Sequence, residues 1–117
     1  MSVRLQRGTI LFDDFELIRT VNLSDGSMKA ARAKWTEVLK VTAFKRDCFA
    51  YDCVCIVFEA AGMQLEVDEE MDGWEAMIAA LPNYLPGIRT SEQWWNEVVH
   101  PAFATNVNHL FLRDPST

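Results

Sequence analysis

The densest group of reactive side chains in the chain is Asp68-Glu69-Glu70, followed closely by Asp72 and Glu75. Calcium would want carboxylates alternating as D-x-D-x-D-G with a distal Glu, and the run lacks that pattern. A carboxylate pair could also hydrolyse a glycosidic bond by acid–base chemistry, yet any acidic turn has the same composition. The simpler reading is a solvated turn in which Asp72, three residues ahead of Glu75, opens a helix through a capping box. Cys48, Cys53 and Cys55 with His100 or His109 make a conceivable zinc set. Structural zinc ligands come as knuckles roughly two to four residues apart in loops, whereas Cys53 and Cys55 stand in a continuous apolar run. The reading is therefore buried, inert thiols. Cys53 and Cys55 would face the same way on one strand, too far apart for a relaxed disulfide, so free thiols in a reducing compartment are expected. His100, just before Pro101, suits a structural role at a helix end. With two histidines in all, no Ser/His/Asp arrangement can be argued. No glycine-rich phosphate loop, G-x-S-x-G or H-E-x-x-H occurs. The residues propose no catalytic centre, cofactor or metal, although an enzyme can lack all of these motifs.

Chemistry of contact is better represented. Adjacent residues on a helix point about 100° apart, so of Trp94 and Trp95 one can enter the core while the other sits at its rim, where Trp often anchors a partner. The alternative is that both are packed. The charge distribution adds a second candidate surface. The net charge is −6, but residues 1–47 carry nine Lys/Arg against six Asp/Glu, and residues 48–117 carry two against eleven. Seven acids and no base lie between Glu59 and Glu75. A basic strand lying beside an acidic hairpin would pair these charges across a sheet. A face built to meet a basic protein would use them differently, and Glu66, Asp68, Glu69 and Glu70 with Trp94 and Trp95 are the candidate contact residues. The overall sign disfavours nucleic acid and anionic membrane.

The elements that must position these residues centre on 47–81. Cys53-Val54-Cys55-Ile56-Val57-Phe58 is apolar throughout and reads as a strand covered on both faces. Glu59-Ala60-Ala61-Gly62 supplies the turn. Met63, Leu65 and Val67 alternate with Gln64, Glu66 and Asp68, completing a hairpin. A helix then runs from the Asp72 cap through Trp74, Met77, Ile78 and Leu81, to stop or kink at Pro82. Upstream, Val3–Phe12 reads as a strand interrupted at Gly8, and Phe15, Leu17 and Val21 as one face of a second, although Phe15, Ile18 and Val21 would also suit a helix. Asn22–Ser27 is a loop. Met28–Lys34 reads as an edge strand with its charges outward, although its alanines would also suit a helix. Trp35–Arg46 reads as a strand with Trp35, Leu39, Val41 and Ala43 inward. After the turn-rich Asn83–Gly87, Ser91 caps a second helix with Glu92 in its first turn and an apolar stripe of Trp94, Trp95, Val98 and Val99, ending at Pro101. The tail Val107–Leu112 is apolar enough to dock.

A chain of 117 residues, half hydrophobic, fits one domain, 1–117. No apolar run approaches the ~20 residues that span a bilayer, and Met1–Arg7 lacks the apolar core of a signal peptide, so a cytoplasmic protein is expected. The expected fold is α+β, an antiparallel and strongly bent sheet or partial barrel of about five or six strands followed by two C-terminal helices.

Three runs carry a resemblance: Trp35-Thr36-Glu37-Val38 through Phe44-Lys45-Arg46-Asp47, then Glu66–Trp74, then Leu81-Pro82-Asn83-Tyr84-Leu85-Pro86-Gly87. Together they resemble a group of small bacterial proteins of unassigned function. The order of antiparallel strands followed by a helix is also similar to pleckstrin-homology-like domains, over Phe15 to Gly87. That resemblance implies a helix packed on an open end of the bent sheet, and a role in binding peptides or phosphoinositides. The acidic 59–75 stretch departs from a lipid-headgroup site, which needs clustered Lys/Arg. Three functions follow as expectations: a protein-interaction domain with an acidic face, such as an immunity-type protein that neutralises a basic toxin; a small-molecule binder or enzyme with a pocket between sheet and helices; or a structural homodimer joined around Trp94-Trp95.

Overall fold

The computed structural model describes residues 8–47, 52–100 and 106–113. Three strands, β1 (Gly8–Phe12), β2 (Glu16–Asn22) and β3 (Met28–Lys34), form an antiparallel sheet in that order. A 3-10 turn, Trp35–Glu37, leads into β4 (Val38–Asp47), β5 (Asp52–Ala60) and β6 (Met63–Asp68). Two helices follow, α1 (Trp74–Tyr84) and α2 (Ser91–Val99), and then β7 (Asn108–Leu112). The second sheet is also antiparallel, in the order β6-β5-β4-β7. The chain is thus α+β, with seven strands among the described residues rather than five or six. They lie in two sheets instead of one bent sheet, and the helices are followed by a strand. Cys48 and Pro101 lie outside the described residues.

The core lies on one face of the four-stranded sheet. Directly paired residues share a face, which puts Val41 and Ala43 of β4 beside Phe58 and Ile56 of β5, and these beside Leu65 and Val67 of β6. All six are fully buried, as is Leu17 of β2. Helical spacing brings Trp74, Met77 and Leu81 of α1 and Trp94 and Val98 of α2 into the same cluster. Burying one such large side chain contributes about 2–3 kcal/mol. The opposite face of β5 carries Cys53 and Cys55, also buried, so this central strand is covered on both sides.

Several local expectations give way to tertiary contacts. Phe15 is 78 % exposed because the Asp13 carboxylate accepts the backbone N–H groups of Phe15 and Glu16 at 2.8 and 3.0 Å. That side-chain turn delays the strand to Glu16. Trp35 leaves the strand pattern because its N–H donates to the Phe15 carbonyl and its indole N–H to the Asp13 carbonyl, at 3.0 and 2.8 Å. Its ring stacks on Tyr84 with centroids 4.8 Å apart. The 3-10 turn and a register shift between Val38 and Lys40 then change the phase of β4. Val38 is buried and Leu39 is turned outward, 47 % exposed.

Helix starts differ in the same way. Asp72 does not cap α1: Gly73 is the N-cap, with φ of 94° and no side-chain cap bond. The Asp72 backbone is held by β1 instead. Its carbonyl accepts from Ile10 N–H at 2.7 Å and its N–H donates to the Gly8 carbonyl at 3.3 Å. A Cβ at residue 73 would lie 2.2 Å from the Ile10 carbonyl oxygen, so this crossing demands glycine. Pro82 sits inside α1, which continues to Tyr84; only the bond its missing N–H would have donated is lost. Helix α2 is capped one residue earlier than expected, by Thr90, whose N–H donates to the Gln93 side chain at 2.9 Å in a capping box. Lys45, buried on the inner face of β4, donates from Nζ to the Val99 carbonyl at 2.5 Å. A cation at that carbonyl complements the C-terminal end of α2.

The tail docks as β7, antiparallel to β4. Leu110 is buried there. Arg113 fastens the strand's end, its Nε and a terminal nitrogen donating to the Val38 and Trp35 carbonyls at 2.8 and 3.1 Å.

Candidate interaction surface

The acidic hairpin is largely occupied with its own structure. Arg46 of β4 and Glu66 of β6 lie on the outer face of the sheet and form an ion pair across β5. The Glu66 carbonyl accepts from Arg19 of β2 at 2.8 Å. Glu69 continues the β5 ladder in place of a strand residue: its N–H donates to the Val54 carbonyl at 3.0 Å and its carboxylate accepts from Val54 N–H at 2.8 Å. The Asp68 carboxylate accepts from Glu70 N–H at 2.9 Å. Partial burial still dominates its titration and raises its pKa above the ordinary 3.8. Of the four hairpin acids singled out by sequence, Glu70 alone is exposed.

The two tryptophans separate. Trp94 is buried in the core, so its surface is spent on packing. Trp95 is half-buried, its ring 5.7 Å from that of Trp94, and it turns its free face to a groove between α1 and α2. The reason is helical periodicity. Spacings of three and four put Glu75, Ile78 and Ala79 on one flank of α1, and Ser91, Glu92 and Trp95 on one flank of α2. With Trp74 beneath, these residues line an open groove of about 490 Å³. Each helix thus supplies one carboxylate and an apolar surface one turn further on.

The electrostatics of the groove follow from the sequence around it. From Asp47 to Ile88 there is no Lys, Arg or His. The nearest cation along the chain, Arg89, is engaged on the far side of α2, donating to Glu97, Asn108 and the Gln93 carbonyl. Its ion pair, together with a hydrogen bond from Asn108, holds the Glu97 carboxyl below its usual range. Glu75 and Glu92 form no ion pair among the described residues. Sequence reasoning assigned both of them to helix starts. The signal for more was available: two acids at first-turn positions of successive helices, with apolar residues three to four positions later.

Elsewhere the chemistry is quiet. Cys53 and Cys55 are free and buried, and a hydrogen bond with Cys53 together with burial pushes the Cys55 thiol far above its ordinary range. Among the described residues no three His, Cys, Asp or Glu side chains gather as a metal site. His100 ends α2 through its backbone N–H, and His109 lies 3.4 Å from the Thr42 hydroxyl. A second depression, about 800 Å³, lies at the end of the four-stranded sheet around Leu39, Lys40, Glu59, Met63 and Leu112. No described helix is long and apolar enough to cross a membrane. No family model, curated protein or solved structure matches the chain.

Proposed function

We propose that this protein is a non-catalytic, cytoplasmic interaction domain that meets a basic protein with an acidic face running from Glu70 through Asp72 and Glu75 to Glu92. One observation carries the reading: Glu75 and Glu92 stand on the two walls of an apolar groove and form no ion pair among the described residues, the nearest cation along the chain, Arg89, being engaged with Glu97. Both carboxylates are exposed, so a basic partner can be steered in and held by them. The committed roles of Glu66, Asp68 and Glu69 move the proposed face away from the hairpin and toward the helix starts. An immunity-type protein that neutralises a basic toxin is one form of this function. The cytoplasmic setting is supported by the free thiols of Cys53 and Cys55. A pleckstrin-homology-like reading of the fold is supported by antiparallel strands in two sheets with a helix after the sixth strand, while the return of β7 after α2 departs from it.

The test is affinity capture from lysate of the source organism with wild type and the variant E70Q/D72N/E75Q/E92Q. The expected result is a basic protein retained by wild type and lost from the variant, with both forms melting alike. Equal retention by the two forms would overturn the reading.

A further inference from the structure

We infer that the groove between α1 and α2 is the anchor point of the acidic face and takes one basic amphipathic helix of the partner; the inference rests on the function proposed above. Three features of the groove select that occupant. Its floor is apolar, formed by Trp74, Ile78, Ala79 and the half-buried Trp95, so an apolar side chain must enter it. Its walls carry the carboxylates of Glu75 and Glu92, which form no ion pair among the described residues, so Lys or Arg must flank that side chain. A Lys or Arg stem can lie along Trp95 with its charge toward the carboxylates, adding a cation–π contact. The third feature concerns the backbone. Both walls are helices, whose backbone groups, apart from the first-turn N–H groups and the Ile78 carbonyl opposite Pro82, bond within the helix, so the groove offers no ladder like that of a sheet edge. A bound segment must then satisfy its own backbone, and a helix does so. An apolar stripe at i, i+3 and i+4 with Lys or Arg beside it matches the groove's own pattern of Glu75, Ile78 and Ala79. The volume, about 490 Å³, suits the few side chains of one helical turn.

The experiment titrates the full chain with a synthetic helix-forming peptide of Leu and Lys with a single apolar stripe, following binding by calorimetry. Two control peptides accompany it: one of identical composition with the stripe scrambled, and one with Glu replacing Lys. The expected result is binding of the striped Lys peptide at least about tenfold tighter than the scrambled one, and no binding of the Glu peptide. The charge variant E75Q/E92Q should lose about tenfold in affinity, or about 1.4 kcal/mol. Ala79→Trp, an exposed position where the larger ring fills the groove, should abolish binding at unchanged melting temperature. Should Ala79→Trp not fold, the charge reversal E75K/E92K replaces it, with the same loss expected. Equal binding of striped and scrambled peptides, or binding that survives the filled groove, would overturn the groove assignment. Spermine binding as tightly as the striped peptide would do so too, giving the site to a small polyamine. If binding survives Ala79→Trp but is lost in E70Q/D72N, the acidic face stands and only the helix-in-groove inference falls. If no basic probe binds, both fall.

Discussion

Asp68 shows how a single carboxylate can be close to a functional residue in pattern and structural in fact. It ends β6 and accepts the Glu70 N–H. Desolvation, opposed by that hydrogen bond and aided by the Glu70 and Glu66 charges, raises its pKa above 3.8. A carboxyl whose pKa is raised by folding binds its proton more tightly in the native state, so its ionisation costs stability. The cost is absent below pH 3.8, grows as pH rises toward the folded value, and is complete above it. Asp68→Asn keeps an acceptor for Glu70 N–H and has no charge to desolvate. Urea unfolding should therefore find it more stable than wild type at pH 7, with the difference closing as pH falls toward 3.8. Asp13 behaves oppositely. The Phe15 and Glu16 N–H groups hold its pKa below 3.8, so its contribution is present above 3.8 and is lost as pH falls through the lower folded value.

At the scale of elements, the start of α1 is decided by a crossing between strands and helix. Asp72 and Glu75 have the spacing of a capping box, but Asp72 pairs its backbone with β1 and the cap passes to Gly73. A side chain there would meet the Ile10 carbonyl at 2.2 Å in addition to the strain of φ 94°. Gly62, in the β5–β6 turn, has φ of 76° and open space around it. Gly62→Ala should cost about 1 kcal/mol from backbone strain alone. Gly73→Ala must also move β1 or α1 and should cost at least about 3 kcal/mol. Denaturant midpoints of the two variants measure the difference. Equal losses would mean that the close approach of β1 to residue 73 is not a constraint.

For the whole molecule, closure depends on its last strand. The four-stranded sheet is completed only when β7 pairs with β4, and Arg89 N–H and Arg113 then bind β7 and the 3-10 turn into one unit. Leu110, 2 % exposed, is the β7 side chain that enters the core. Leu110→Ala should cost about 2–4 kcal/mol, read as a lower unfolding midpoint. If β7 were merely laid on the surface, the loss would stay below about 0.5 kcal/mol. The opposite charge balances of residues 1–47 and 48–117 meet across this body. Arg46 and Arg19 are drawn onto β6 and Arg89 onto Glu97, and Glu75 of α1 and Glu92 of α2 form no ion pair among the described residues.

By itself the sequence determined the elements whose patterns were internally consistent. The apolar run 53–58, the alternation of 63–67 and the helical spacing of 74–81 and 94–98 all stand where their pattern puts them, while 28–34, which its alanines left open to a helix, is a strand. Local pattern is enough for these, because an unbroken short apolar run marks a strand buried on both faces and a period of 2 or 3.6 marks an element with one buried face. For Trp94 and Trp95 it left two arrangements open, and the fold chose between them, burying Trp94 and leaving Trp95 half-buried at the rim. Tertiary structure decided what depends on contacts between segments distant in sequence. Phe15 and Leu39 are apolar yet face outward, because an Asp13 turn and the Trp35 corner reset the phase of the strands that follow. Pairing of the acidic hairpin with a basic strand is one of two readings of the charge pattern, and the fold takes it for Glu66 by bringing Arg46 beside it, while Glu69 is taken up by the Val54 backbone. Glu75 and Glu92, seventeen positions apart, came to line one groove only through the tertiary placement of α1 and α2. A linear pattern shows which face of a helix is polar; packing alone says what that face meets.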